Sequence, residues 1–136
     1  MLKMISFILV SLSIFSQEKP ETNITKQNVA LNGYDPVAYF TLNKALRGNA
    51  ALAFKYKEVV YKFSSEVHLN LFKKSPETYI PQFGGWCAYG CAGTKETTGF
   101  IADRFPVDPN TFKIINNKLY LFYNKESYNA LDKWNN

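Results

Sequence analysis

The chain of 136 residues is poor in the side chains that bind metals tightly or act as bases: it has two cysteines and one histidine. A closed structural zinc site needs about four nitrogen or sulfur ligands, so a self-contained Cys/His site is excluded. A Ser-His-Asp arrangement would have to use the single histidine, His68. The sequence also lacks a nucleotide-binding glycine loop, a paired-carboxylate motif and a haem-attachment motif. It therefore favours a binding protein over an enzyme and leaves enzymatic activity open.

Clustered positive charge is absent as well. Lys and Arg number 16 against 11 Asp and Glu, which gives a formal net charge of +5 at pH 7. These cations are spread along the chain, whereas nucleic-acid-binding domains concentrate them in a patch or stripe. Lysines alternate with aromatic residues over residues 54–63, where we expect the lysines to face solvent. No nucleic-acid partner is predicted.

Long hydrophobic runs are also lacking. Residues 4–15 form an uncharged apolar stretch that, as a helix, would rise roughly 18 Å, well short of the ~30 Å hydrocarbon core of a bilayer. Together with the basic start, this predicts a signal peptide over residues 1–16 and a protein that is exported, periplasmic or extracellular, and not membrane-embedded. In such an oxidising compartment Cys87 and Cys91 could pair, and the sequence leaves their redox state open.

The remaining chain predicts one α+β domain. Residues 17–28 are polar and predict an N-terminal tether, and the domain is expected over residues 29–136. Period-two alternation predicts small antiparallel hairpins that turn at Lys57-Glu58 and Asn116-Asn117. The sequence Ser64-Ser65-Glu66 is typical of a helix start with a hydroxyl cap. The expected fold is thus a set of small antiparallel hairpins packed with short helices, and no internal repeat is apparent.

Two further local features are interpreted from turn and capping signals. The dipeptide Asn32-Gly33 is typical of a tight hairpin turn. Asn124 is predicted to cap a last helix, in which apolar residues recur every three positions: Tyr128, Leu131 and Trp134.

Four short motifs of the chain carry a resemblance to a known family. They are Gly33-Tyr34-Asp35-Pro36-Val37-Ala38-Tyr39-Phe40, Tyr61-Lys62-Phe63-Ser64-Ser65, Phe72-Lys73-Lys74-Ser75-Pro76-Glu77-Thr78-Tyr79 and Gly84-Gly85-Trp86-Cys87-Ala88. In content and order they resemble the YHS-domain family, and in particular its longer, exported, stand-alone members, over residues 29–128. The resemblance implies a small α+β domain. It also implies an association with heavy metals, because short YHS domains occur beside copper transporters and carry cysteines.

The chain departs from the short members at their cysteine positions. Their pattern resembles Asp-Pro-Val-Cys followed by Phe-Cys-Ser-x-x-Cys, and here Ala38, Ser64 and His68 stand at those three places. Alanine offers no ligand, and serine is a poor ligand for soft metals. The candidate ligands for a transition-metal ion, copper or zinc, are therefore His68, Cys87 and Cys91, with a carboxylate or water completing the shell.

A ligand pocket beside the Gly-Gly-Trp-Cys turn is also predicted, because glycines let the backbone approach a guest closely. Asp35 is a candidate lining residue, since an acid in an apolar context must find a partner; capping a turn is the alternative for it. The aromatic candidates for the same pocket are Tyr34, Tyr39, Tyr79 and Tyr89. His68 has two interpretations: a core-edge histidine bonded to backbone, Ser64 or Ser65, or a ligand or base that faces the pocket.

Three functions remain open from the sequence. The first, which we favour, is a small exported binding protein that holds a metal ion or small ligand near His68 and Cys87. The second is a thiol or redox protein with Cys87 as nucleophile and His68 as base. The third is a non-catalytic interaction domain, whose protein partner the sequence does not identify.

Overall fold

The computed structural model of the protein describes residues 19–93 and 103–136, so the signal peptide predicted for residues 1–16 lies outside the described part. Over the described residues the fold is α+β, as predicted, with short helices and two-stranded antiparallel sheets that pair β1–β2, β3–β4 and β5–β6. The helices are α1 (Ala38–Thr41), α2 (Glu66–Lys74), α3 (Pro76–Tyr79), α4 (Ala88–Ala92) and α5 (Ala130–Asn135). The strands are β1 (Asn49–Tyr56), β2 (Val59–Phe63), β3 (Asp108–Ile115), β4 (Lys118–Phe122), β5 (Asn124–Lys125) and β6 (Tyr128–Asn129). Across both described ranges, no helix has the length and apolar character that crossing a bilayer requires.

The two predicted hairpins are present and are built alike. Each joins an eight-residue strand to a five-residue strand. Each turns through two residues with positive φ, at 46° and 65° for Lys57-Glu58 and at 51° and 58° for Asn116-Asn117. Such a pair of left-handed residues matches the right-handed twist of the flanking strands. The sequence prediction of both hairpins is confirmed.

The irregular part of each hairpin is also repeated. In the first, Ala53 pairs with Lys62 but Asn49 pairs with Phe63, so residues 50–52 bulge out of the ladder. In the second, the corresponding pairs are Phe112 with Leu121 and Asp108 with Phe122. In both hairpins, the side chain of the first strand residue accepts a hydrogen bond from a backbone N–H in the bulge. Asn49 Oδ1 accepts from the N–H of Ala51, and Asp108 Oδ1 accepts from the N–H of Asn110.

The turns that precede the hairpins match as well. The 3-10 turns Leu31–Gly33 and Gln82–Gly85 each contain three successive residues with positive φ, at 55°, 51° and 83° in the first and 53°, 61° and 80° in the second. Asp35 N–H then donates to Leu46 C=O, just as Cys87 N–H donates to Phe105 C=O. As far as the described residues reach, the domain contains one backbone unit twice, at residues 31–64 (the first unit) and at residues 83–93 with 103–123 (the second unit). The sequence shows no internal repeat, so the repetition is one of backbone conformation.

The larger hydrophobic core lies between the first hairpin and α2. Its central side chain is Phe72, which is fully buried and has its ring centroid 4.8 Å from that of Tyr61 and 5.1 Å from that of Phe63. Helix α2 begins as predicted, because Ser65 caps it by accepting from the N–H of His68 at 3.2 Å. The helix therefore fixes His68 one turn before Phe72, at the edge of this core.

Two local predictions are wrong. Asn32-Gly33 belongs to the 3-10 turn Leu31–Gly33 and does not join two strands. The last helix begins at Ala130 and is capped by Asn129, whose side chain accepts from the N–H of Leu131 at 2.9 Å, whereas Asn124 lies in β5. In both places the local turn or capping signal is present. Contacts with residues more distant in sequence determine which structure forms there.

Candidate functional site

The most highly connected polar group of the domain is the carboxylate of Asp35, which is fully buried. Its Oδ1 accepts from the N–H groups of Val37, at 2.8 Å, and Ala38, at 3.3 Å, and so caps the start of α1. Its Oδ2 accepts from the N–H and the hydroxyl of Ser64, at 2.9 and 2.6 Å. A buried carboxylate is stable only when its oxygens are bonded in this way. Asp35 thus joins the turn before α1 to the end of β2.

His68 completes the coordination of this carboxylate. Its Nδ1 lies 2.6 Å from Asp35 Oδ2, and its Nε2 lies 3.1 Å from the hydroxyl of Thr41, at the end of α1. The Thr41 hydroxyl in turn donates to the carbonyl of Val37 at 3.1 Å. A proton on Nδ1 serves the contact with Asp35, and the tautomer and protonation of the ring decide whether Nε2 donates to the Thr41 hydroxyl or accepts from it. The outer end of this hydrogen-bond chain is Thr41, which is exposed.

The arrangement resembles an acid–histidine–hydroxyl relay, but its surroundings do not favour acyl transfer. That chemistry needs N–H donors aimed at the developing oxyanion. Thr41 ends α1, and its own N–H and that of Leu42 donate to the carbonyls of Val37 and Ala38. These two N–H groups are therefore used within α1 and its C-terminal turn and do not point at a substrate beside the hydroxyl.

Cys87 holds in the second unit the place that Asp35 holds in the first. Asp35 accepts from the N–H of Ser64, the residue after β2, and Cys87 Sγ accepts from the N–H of Tyr123, the residue after β4, at 3.3 Å. The Cys87 side chain is only 2% exposed and packs in a smaller cluster with Ala88, Phe122 and Ala130. Its geometry is that of a small buried side chain that accepts a backbone N–H.

Cys91 lies one helical turn further on, with its N–H donating to Cys87 C=O at 3.0 Å. Its thiol is half-buried, 3.9 Å from the carbonyl oxygen of Asp103, and burial raises its pKa. Both cysteines are free thiols. A raised pKa lowers the thiolate fraction that a nucleophile or metal ligand needs.

In the described part of the chain, the structure does not place the three candidate metal ligands in one group. His68 Nδ1 contacts Asp35, whereas the Cys87 sulfur is buried and accepts from the N–H of Tyr123. Within residues 19–93 and 103–136, no group of three or more His, Cys, Asp or Glu side chains lies close enough to hold a metal. In the same part of the chain, His68 has no hydrogen bond to Cys87, which the proposed thiol–base pair would need.

The Gly-Gly-Trp-Cys turn is covered by the chain itself. Asn23 N–H donates to Gly84 C=O at 2.8 Å, and Asn23 Nδ2 donates to Gly85 C=O at 3.1 Å. The indole N–H of Trp86 donates to Pro20 C=O at 3.0 Å. The close backbone approach that the glycines permit is therefore made by residues 20–23, part of the segment predicted as a tether.

The four candidate tyrosines belong to different parts of the fold. Tyr34, Tyr39 and Tyr79 pack against the larger core, and Tyr89 packs against the smaller one. Tyr39 is fully buried and donates to Pro109 C=O at 2.8 Å, while Tyr34 carries the Arg47 guanidinium 4.8 Å from its ring centre. The structure does not bring them together around one ligand.

Tyr39 allows a test of this burial. Burial raises its pKa above the ordinary value of 10.0. Above about pH 10 the unfolded chain loses this proton while the folded protein keeps it, so the free energy of unfolding falls as pH rises, by up to about 1.4 kcal/mol per pH unit. Urea unfolding between pH 8 and pH 11 would measure the slope. Tyr39→Phe is expected to flatten it, and an unchanged slope would contradict the assignment.

Thr41 is the site residue that sequence reasoning missed. It follows the Asp-Pro-Val-Ala-Tyr-Phe motif directly. The short helix α1 brings its hydroxyl to within 3.1 Å of His68 Nε2. A fixed spacing from Asp35 would have been the only signal, and a threonine in that position is ordinary in any loop.

Comparison of the chain with family models, with curated proteins and with solved structures finds no match.

Proposed function

We propose that the protein is an exported, YHS-like binding domain that holds a small acidic ligand at the exposed end of the Asp35–His68–Thr41 chain. The observation that carries the proposal is the 2.6 Å contact between Asp35 Oδ2 and His68 Nδ1. A buried carboxylate at Nδ1 fixes the orientation of the ring, so Nε2 faces the Thr41 hydroxyl, and the doubly protonated ring presents an N–H donor there. A carboxylate or phosphate oxygen of a ligand replaces the Thr41 hydroxyl as the acceptor.

Exposed apolar residues adjoin Thr41 and His68 in sequence, which supports a binding site of mixed character. Leu42 follows Thr41 and Val67 precedes His68, and they are 48% and 67% exposed. Ligand sites commonly combine apolar walls with a few fixed polar groups. A doubly protonated ring has no lone pair for a metal, so in that state the site takes an anion and not a cation.

The test is an NMR titration of the mature chain with succinate and, separately, with inorganic phosphate. One probe is expected to shift the His68 ring signals and the Thr41 backbone amide signal saturably. In His68→Gln the affinity, followed at the Thr41 amide, should fall at least about tenfold, the loss expected when one charge-assisted hydrogen bond is removed. Asn70→Ala, an exposed change on the same helix, is the matched control and should bind normally.

A second variant separates binding from folding. Thr41→Val removes the internal competitor for Nε2–H and leaves the Asp35–His68 pair in place, so affinity should rise. Absence of a saturable shift with both probes, or equal affinity in His68→Gln, would overturn the proposal.

A further inference from the structure

Residues 19–23, here called the N-terminal segment, bind the second unit as an extended peptide would. Besides the bonds from Asn23 and Trp86, Lys19 Nζ lies 3.2 Å from Asp103 Oδ1 and 2.8 Å from Arg104 C=O. The Arg104 guanidinium donates to Lys19 C=O. Several of these contacts use main-chain atoms of the segment, which is how proteins recognise extended peptides.

The N-terminal segment contacts the turn of the second unit and not the equivalent turn of the first unit. One side chain, present in the first turn and absent from the second, explains this difference. A Cβ at Gly84 would lie 2.2 Å from Glu21 C=O, so any larger residue there excludes the segment. The matching position of the first unit is Asn32, with φ 51° and ψ 27° against 61° and 19° at Gly84. Asparagine thus accepts this backbone conformation but leaves no room for a segment.

The connection between the segment and the first unit is a short turn. Asn28 N–H donates to Thr25 C=O at 2.9 Å, and Asn28 has φ 60°, a left-handed conformation that asparagine adopts more readily than most residues. Exchange of a terminal element between identical chains is a low-cost route to a dimer. If this turn opened, the N-terminal segment would leave the second unit of its own chain. It would then make the same contacts with the second unit of another copy.

We propose that residues 84–86 and 103–105 form a peptide-docking site, filled in cis by the chain's own N-terminal segment and in trans by that of a second copy. The partner is fixed by the chemistry of the site. Asp103 takes the Lys19 ammonium, the Trp86 indole takes the carbonyl of Pro20, and the Gly84 and Gly85 carbonyls take the donors of Asn23. The second copy's segment offers the same groups at the same spacing.

A complementation experiment with full mature chains tests this. Gly84→Asn disables the site and keeps the segment; Lys19→Glu with Asn23→Ala disables the segment and keeps the site. We expect each variant alone to be monomeric by sedimentation, and their equimolar mixture to form a heterodimer of doubled mass. In the mixture the Trp86 indole N–H signal of the labelled segment variant should return to its wild-type position.

The controls keep the outcome unambiguous. Because Asn32 already adopts the Gly84 conformation, Gly84→Asn is expected to fold, which the dispersion of its NMR spectrum will verify. Lys26→Ala, an exposed change outside the contacts, should behave as wild type. A mixture that stays monomeric at millimolar concentration, with the Trp86 signal unrestored, would show that the contact is intramolecular only and overturn the proposal.

Discussion

Replacing Asp35 by alanine is expected to lower the free energy of unfolding by about 3–5 kcal/mol, because several buried groups lose the carboxylate that they are bonded to. The change removes the acceptor for His68 Nδ1 and for both groups of Ser64, and it uncaps α1. Because domains of this size have a free energy of unfolding of only about 5–15 kcal/mol, the variant would retain a small margin of stability. Urea unfolding followed by tryptophan fluorescence would measure the loss.

Two comparisons separate the pair from the cap. Asp35→Asn keeps an acceptor oxygen for α1 but loses the charge, so it should lie between wild type and Asp35→Ala. Asp132→Ala removes an exposed acid from the first turn of α5 and should cost less than about 1 kcal/mol. If Asp35→Ala and Asp132→Ala had similar effects, the buried pair would not stabilise the fold.

Replacing Phe72 by alanine is expected to lower the free energy of unfolding by about 3–5 kcal/mol. Phe72 is fully buried, and its ring packs with aromatic rings from both strands of the first hairpin, including Phe54 of β1 and Phe63 of β2. Truncation leaves a cavity that rigid neighbouring rings cannot fill by small shifts. Thermal unfolding followed by near-ultraviolet circular dichroism, which reports aromatic packing, would show the effect.

The matched control lies on the same helix. Val67 is 67% exposed, so Val67→Ala should change stability by no more than about 0.5 kcal/mol. A loss for Phe72→Ala as small as that for Val67→Ala would contradict the placement of Phe72 at the centre of the larger core.

Much of the secondary structure could be predicted because its signals are local. The hairpin turns at Lys57-Glu58 and Asn116-Asn117 and the helix cap at Ser65 each depend on neighbouring residues and on alternation. The last helix was predicted to begin too early because Asn124 and Asn129 are both adequate caps. The choice between them depends on the pairing of β5 with β6, which no local pattern encodes.

The site could be predicted only in part, because it joins residues that are distant in sequence. Asp35 and His68 were each identifiable as groups that need a partner, but they are 33 residues apart and nothing in the sequence pairs them. Cys87 is a candidate ligand by residue type alone, and the sequence does not show that its sulfur accepts a backbone N–H in the structure.

The duplication was hidden for a related reason. At equivalent positions of the two hairpins, Tyr61 corresponds to Tyr120 and Phe63 to Phe122, but most other side chains differ. What the two units share is backbone conformation and hydrogen bonding, which many residue types can supply. Dissimilar sequences can therefore form one repeated unit.

The N-terminal segment also has a consequence for the order in which the protein folds. Lys19 and Asp103 are 84 residues apart in sequence, and Asn23 and Gly85 are 62 apart. The hairpins close over a few residues, and contacts of such long range form late because of the chain entropy that closing a large loop costs. During synthesis the N-terminal segment emerges before the second unit, so its binding site is complete only after the second unit has formed. We therefore expect the amides of the N-terminal segment to be the last to become protected from hydrogen exchange.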